Sequence, residues 1–409
     1  MTAGLTVEAD PASVALIASG LRRLDDHFRR YVDDGRLAGW LLTVSRHGKL
    51  AHIARYGQRD AEAGLPVEYD TLWRIYSMTK PITSVAAMML YEQGALELTD
   101  PVSRFIPSFT DMRVFAGGSD VRPVTVPATE PVRIWHLLTH TAGLSNAAHR
   151  QHPVDALYRA VRRGPETTLA DACEQWARLP LLFEPGTAWN YSVATHVLGR
   201  VLEVVSGQPL DEFFARRVLG PLGMTDTGFY APPGDLHRLA TLYTPDEDGR
   251  ATPWTAPADD FSKPPALPSP GGGLLSTAAD YNRFLTMLLP LPGSPAGELD
   301  GTRLLSPRTV AFMGRNHLPG NADLAQFGRA LNGESPRGTG FGLGFAVVHD
   351  PVPGHVVASA GELSWHGAAS TAFWIDPAEE LAVTFFTQLM PASLPVRPQL
   401  RQLVYAALD

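Results

Sequence analysis

With 409 residues, 44% of them hydrophobic, the chain is long enough to bury one large core or two smaller ones, which argues against disorder outside the termini. A formal charge of -8, a pI of about 5.9 and no basic run exclude nucleic acid and anionic membrane surfaces as expected partners. Cys173 is the only cysteine, so no internal disulfide and no thiolate metal cluster can form.

Cys173 itself reads as a small buried hydrophobe. Residues 1–10 carry Glu8 and Asp10 but no cationic leader, and no apolar stretch reaches the roughly eighteen residues of a membrane span. A cytoplasmic protein with no membrane association is the expectation.

In chain order, Val14, Ile17, Leu21, Leu24, Phe28 and Tyr31 recur at helical spacing, which predicts one amphipathic helix between Asp10-Pro11 and Gly35. Extended segments at 41–45 and 50–56 flank His47-Gly48-Lys49 and predict a hairpin. A third extended piece, 72–76, leads into a helix from Ser77 to Gly94. A small hairpin is expected within 113–126 and a turn at Gly143. Helices are expected at 155–162, 169–179, 192–206 and 210–219, the last stopped by Gly220-Pro221. Residues 244–273, rich in Pro, Gly, Asp and Ser, read as a long irregular connection that borders a site. A helix at 277–289, strands at 343–349, 370–375 and 381–387, and a helix at 395–408 complete the pattern. Strands at both ends with helices between them predict an α+β fold. Its antiparallel sheet would be flanked by N- and C-terminal helices, with a helical domain inserted. The expected division is 1–76 with 255–409 as the sheet domain and 77–254 as the mainly helical one, the site lying at their interface.

Ser77-Met78-Thr79-Lys80 is the stretch that carries chemistry. A hydroxyl and an amine three residues apart meet only on one helix face. A serine needs a neighbouring base, and a lysine can serve only where its surroundings hold it neutral. At a helix start, free N-H groups and the dipole would favour an oxyanion. Lysine occurs only at 49, 80 and 263, every other long cation being arginine, which cannot be deprotonated in proteins. Alone, the tetrapeptide reads first as an ordinary helical turn with a capping serine and a solvated lysine.

Two other chemistries have weaker signatures. A G-x-S-x-G elbow is absent, its nearest approach being Gly143-Leu144-Ser145-Asn146-Ala147, one glycine short. His136, His140, His149 and His152 cluster in the sequence, as metal ligands do, yet without H-E-x-x-H they read better as a solvated or hydrogen-bonding face. No metal and no cofactor is therefore expected.

Further along come Leu137-Leu138-Thr139-His140-Thr141-Ala142-Gly143-Leu144, Phe183-Glu184-Pro185-Gly186 with Tyr191-Ser192, Pro221-Leu222-Gly223-Met224, Gly271-Gly272-Gly273-Leu274 and Trp365-His366-Gly367. With Ser77-Met78-Thr79-Lys80, and in this order, they resemble the class C β-lactamase-like serine hydrolases, with the family VIII carboxylesterases as nearest look-alikes. The resemblance covers about 35–389. It implies a serine β-lactamase or penicillin-binding-protein fold and an acyl-enzyme on Ser77, with Lys80 and Tyr191 as acid and base, acting on a small-molecule ester. By itself Tyr191 reads as an aromatic packed on Phe183 and Trp189. The resemblance also places Trp365, His366 and Gly367 on a strand edging the substrate site, Trp365 lining the acyl pocket. The backbone N-H groups of Ser77 and Ala368 become the oxyanion donors.

Two departures from the lactamase pattern point to esters. Val193 stands where Y-x-N has asparagine, and no lysine lies near 365 to attract a lactam carboxylate. β-Lactamase, D-amino-acid or oligoamide hydrolase, and acyltransferase are the alternatives on the same fold.

Overall fold

The computed structural model describes residues 4–255, 260–329 and 336–409. The first expected helix divides in two. Asp10 caps a 3-10 turn at Pro11–Val14, and Ala15 then enters the left-handed region at φ 54°. Leu16 next bridges to Leu408 before helix α1, Ala18–Asp33, begins. The break lets Val14 and Leu16 both turn inward, which an unbroken helix could not do, while Ile17 is 39% exposed. Strands β1 (Gly39–Arg46) and β2 (Lys49–Asp60) form the expected hairpin through His47 and Gly48, whose φ angles of 53° and 74° suit a two-residue turn. The short β3 (Leu65–Pro66) pairs with the end of β2.

The third extended piece is only β4, Trp73–Arg74, because Tyr76 turns to φ 43° and starts a 3-10 turn over Tyr76–Met78. Helix α2 therefore begins at Thr79, two residues later than expected, and runs to Glu92, buried from Thr79 through Leu90. The hairpin β5–β6 (Arg113–Gly118, Pro123–Pro127) precedes helices α3 (Ile134–Leu138), α4 (Pro153–Ala160) and α5 (Leu169–Ala177). Helix α6 (Ala194–Ser206) stops at Gly207, and α7 (Leu210–Phe214) continues into a π turn at Ala215–Leu219.

The connection expected to be irregular holds a hairpin, β7 (Tyr243–Pro245) with β8 (Ala251–Pro253), closed by Asp246 and Arg250. Its later part leads to β9 (Leu275–Ser276), which pairs with β4 and so ties the start of α2 to a distant segment. Then come α8 (Ala278–Leu288), the pair β10–β11 (Glu298–Leu299, Thr302–Arg303), α9 (Pro307–Met313) and α10 (Leu324–Phe327). The final stretch holds β12 (Thr339–Phe341), β13 (Ala346–Val348), α11 (Pro351–Gly354), β14 (Leu363–His366), β15 (Ala372–Asp376), β16 (Leu381–Phe386) and α12 (Val396–Tyr405).

Eight strands make one antiparallel sheet in the order β12-β13-β14-β15-β16-β1-β2-β3. The two chain ends meet where β1 lies on β16, with Leu41 opposite Phe386 and Val44 opposite Val383. Helices α1 and α12 cover one face, burying Phe28, Trp40, Phe385 and Leu400 in one cluster. On the other face Tyr281 of α8 packs 5.3 Å from Phe373, and this side merges with the core of the helical region. No helix among the described residues is long and apolar enough to cross a membrane.

Candidate active site

Ser77 sits in the 3-10 turn between β4 and α2. Ile75 donates its N-H to Leu274, and the Met78 carbonyl accepts from the buried hydroxyl of Tyr281 at 2.9 Å. Both ends of the turn are thus held by the segment around β9 and α8. Tyr76, a bulky residue at positive φ, costs about 1–3 kcal/mol, a strain that such fixed surroundings sustain.

Lys80 follows on the first turn of α2. Its Nζ lies 3.2 Å from Ser77 Oγ and 2.5 Å from the carbonyl oxygen of Gly271, with the residue only 5% exposed. The Gly271 loop is bolted to two helices. Thr83 donates to the Pro270 carbonyl at 2.7 Å, Leu274 N-H donates to Thr79 Oγ1 at 3.2 Å, and His196 meets Ser269 Oγ at 2.9 Å. Glycine is required at 271, since a Cβ there would stand 2.5 Å from His196 Cε1.

Tyr191 comes from the loop before α6. Its hydroxyl donates to Ser77 Oγ at 2.6 Å, and Lys80 Nζ lies 4.5 Å from its ring centroid. The Tyr191 carbonyl accepts from Asn146 Nδ2 at 2.7 Å and meets His149 Nε2 at 2.8 Å. Its ring packs on His140 and Trp365 at 4.9 and 5.4 Å. Behind it, Asn190 donates to the Leu144 carbonyl and accepts from Arg329, which forms an ion pair with buried Asp155 at 2.9 Å. Burial would raise the Asp155 pKa, but hydrogen bonds from Arg329 and Ser145 and the Arg329 charge outweigh it and hold it at about 2. Ser145, the nucleophile of the rival reading, is fully buried and donates to Asp155 at 2.5 Å, so it is a strut of this network.

The four clustered histidines serve separate ends. His136 accepts the Arg133 N-H, and burial, with Arg133 nearby, pushes its pKa to about 4. His140 is wholly buried, and burial followed by the charge of Lys80 holds it neutral. His149 supports Tyr191, while His152 caps α4 by accepting from Val154 N-H at 3.1 Å. Among the described residues no group of three or more His, Cys, Asp or Glu could hold a metal ion.

Trp365 projects from β14 between Tyr191 and Phe341, its ring 5.3 Å from the latter. His366 meets Arg397 Nη1 at 3.0 Å, and burial with that charge keeps it neutral. Gly367 abuts the nucleophile's segment, since a Cβ there would be 2.7 Å from the Ile75 carbonyl oxygen. Its N-H donates to Thr371 at 2.9 Å, closing the turn that contains Ala368. Ser77, Lys80, Tyr191 and Trp365 are therefore gathered in one place, from segments far apart in the chain. Sequence reasoning missed Asn146, Asn190, Arg329 and His196, none of which belongs to a motif; Gly271 was seen only within a glycine run.

Two cavities flank this centre. One of about 1180 Å³ is walled by the 158–167 segment and the 260–269 loop, with Val193, His196 and Gly273 at its inner side. A smaller one, of about 280 Å³, lies against Trp365, His366 and Phe373.

A family model described as beta-lactamase matches residues 24–406. Protein Rv1367c of Mycobacterium tuberculosis is 37% identical over 89% of this chain and 88% of its own. Esterase EstB of Burkholderia gladioli is 33% identical over 97% of this chain and 98% of its own. Among solved structures, that of EstCE1, described as a hydrolase with promiscuous acyltransferase activity, superposes with a TM-score of 0.76. It is 30% identical and covers 95% of this chain and 99% of its own. The chain therefore belongs to the β-lactamase family, as a class C β-lactamase-like serine hydrolase.

Proposed function

We propose that the protein is a carboxylesterase of the family VIII type, working through an acyl-enzyme on Ser77. The observation that carries this reading is the convergence of two proton-bearing groups on one hydroxyl, Tyr191 Oη at 2.6 Å and Lys80 Nζ at 3.2 Å from Ser77 Oγ. Both are within the reach that proton transfer in a transition state requires. In this mechanism Ser77 Oγ attacks the ester carbonyl carbon and yields its proton to the Tyr191–Lys80 pair. The resulting oxyanion is held by the N-H groups of Ser77 and Ala368, donors fixed in place before reaction. Collapse breaks the bond to the alcohol, which leaves with the proton returned by Tyr191 or Lys80. Water then adds to the acyl-serine with the same groups as base, releasing the acid and restoring Ser77.

Neutral esters suit the surroundings of Ser77 better than β-lactams. Trp365 and Val193, both buried, stand where the lactamase pattern has a lysine and an asparagine. A lactam carboxylate brought against an indole and a valine would lose water without gaining a partner. Acyl transfer is the second reading, favoured by the description of EstCE1 and by a cleft roomy enough to seat an acceptor alcohol.

The test is active-site labelling combined with a substrate panel. A phosphonate should add to Ser77, located by mass spectrometry, and a short-chain p-nitrophenyl ester should be hydrolysed far faster than a chromogenic cephalosporin. An adduct at Ser145, or equal efficiency on the cephalosporin, would sink the esterase reading.

A further inference from the structure

We propose that the substrate of this site carries a carboxylate on an apolar body, seated in the large cleft with its charged end on Arg159, Arg162 and Arg163. This rests on the esterase reading and adds the substrate class.

The cleft of about 1180 Å³ combines two kinds of wall. Val161, Trp176, Phe229, Phe261 and Leu267 give it an apolar lining, suited to a hydrophobic body of several carbons. Three arginines from one short stretch line the same space. Two carboxylates also border it, but Asp260 pairs with Lys263 at 3.5 Å, which leaves Glu166 alone against three guanidinium groups. Among the described residues none of the three arginines forms an ion pair, although other arginines of the helical region do, Arg133 with Glu130 and Arg200 with Glu203. In a chain of net charge -8, a local cationic excess facing a cleft concentrates an anion there.

Two of the arginines are already oriented. Arg163 lies over the Trp176 ring at 6.0 Å, and Arg159 donates to the carbonyl of His149. His149 in turn meets the Tyr191 carbonyl, so the cationic wall is joined to a support of the site. A guanidinium matches a carboxylate with two parallel hydrogen bonds, whereas an uncharged ester tail would make no use of it. The cation absent from the strand at Trp365 is thus supplied by another segment, 159–163, placed for the far end of the substrate and away from the scissile bond.

The experiment compares mono-p-nitrophenyl esters of linear dicarboxylic acids of increasing chain length with the same esters capped as methyl diesters. At low salt, kcat/KM for the free acid should exceed that for the capped ester at least fivefold at the chain length that reaches the arginines. High salt should reduce this ratio, because the arginines are exposed. In the Arg162→Ala/Arg163→Ala variant the ratio should fall toward one, and in Arg162→Glu/Arg163→Glu it should fall below one. Turnover of the capped esters alone, or a ratio unmoved in both variants, overturns the carboxylate assignment and leaves the esterase reading standing. Turnover of neither ester class overturns the esterase reading and this inference with it.

Discussion

Two serines of this molecule, one in the turn that opens the helical region before α2 and one in the loop between α3 and α4, serve opposite ends. Ser77 is partly open and faces the hydroxyl of Tyr191 and the amine of Lys80. Ser145 is sealed from solvent and donates a hydrogen bond to a carboxylate already paired with Arg329. A hydroxyl that donates into a satisfied ion pair has no base to activate it, whereas one that accepts from two proton carriers can exchange its proton with them. What separates a nucleophile from a strut is the group across the hydrogen bond. The two are linked, since the Ser145 network supports the loop that delivers Tyr191.

The comparison breaks most sharply by removing each hydroxyl in turn. Ser77→Ala should lower ester turnover roughly a thousandfold or more while leaving the fold intact. Ser145→Ala should keep a measurable rate but lower stability by about 1–3 kcal/mol, the cost of a buried acceptor losing its donor. A Ser145 variant as inactive as the Ser77 one, at unchanged Tm, would reverse the two roles.

The proton carriers come next. Tyr191→Phe should cut kcat about a hundredfold or more, the scale of general acid–base catalysis. Lys80→Arg should be nearly as damaging as Lys80→Ala, because arginine keeps the charge but cannot give up a proton. An active arginine variant would mean that position 80 supplies only positive charge.

Gly271→Ala sharpens the same contrast from the loop side. Its Cβ would meet His196 at 2.5 Å, displacing the carbonyl that fixes Lys80. A loss of about tenfold in kcat with little change in KM is expected, with about 1–3 kcal/mol of stability from overpacking. Equal kcat in the variant would show that the Gly271 contact does not position the amine.

The smallest effect is on pH-dependent stability. The Asp155 pKa falls from 3.8 in the unfolded chain to about 2 in the folded one. The unfolded state therefore binds the proton more readily, so this contribution is complete above about pH 4 and is lost as pH falls through about 2. Its size is about 2 kcal/mol. Denaturation between pH 5 and 2 should show a shallower fall for Asp155→Asn than for the parent; parallel curves would remove Asp155 from the acid response.

Much of this was legible beforehand where the signal is local. Periodicity placed α1, α6 and α12, and the short His47-Gly48 connection placed the β1–β2 hairpin. S-x-x-K placed Ser77 beside Lys80. Errors arose where a distant partner overrode local preference. The first helix breaks at Ala15 because Leu16 pairs with Leu408, and α2 starts late because β4 pairs with β9 and Tyr76 turns to positive φ. Strand β12 was not anticipated, being three residues whose pairing comes entirely from β13.

By itself the sequence determined the elements whose information lies within one helical turn or one strand: the amphipathic faces, the hairpin turn, and the serine and lysine three residues apart. It also carried the order of short motifs that marks the family. Only the tertiary structure decided that Tyr191 reaches Ser77, 114 positions away, that Gly271 holds Lys80 from 191 positions away, and that Arg329 and Asp155 brace the tyrosine's loop across 174 positions. The physical reason is that a hydrogen bond between remote residues leaves no periodic trace in either partner's neighbourhood. Its geometry exists once the sheet and helical region have brought the segments together, and so the site is a property of the packed molecule.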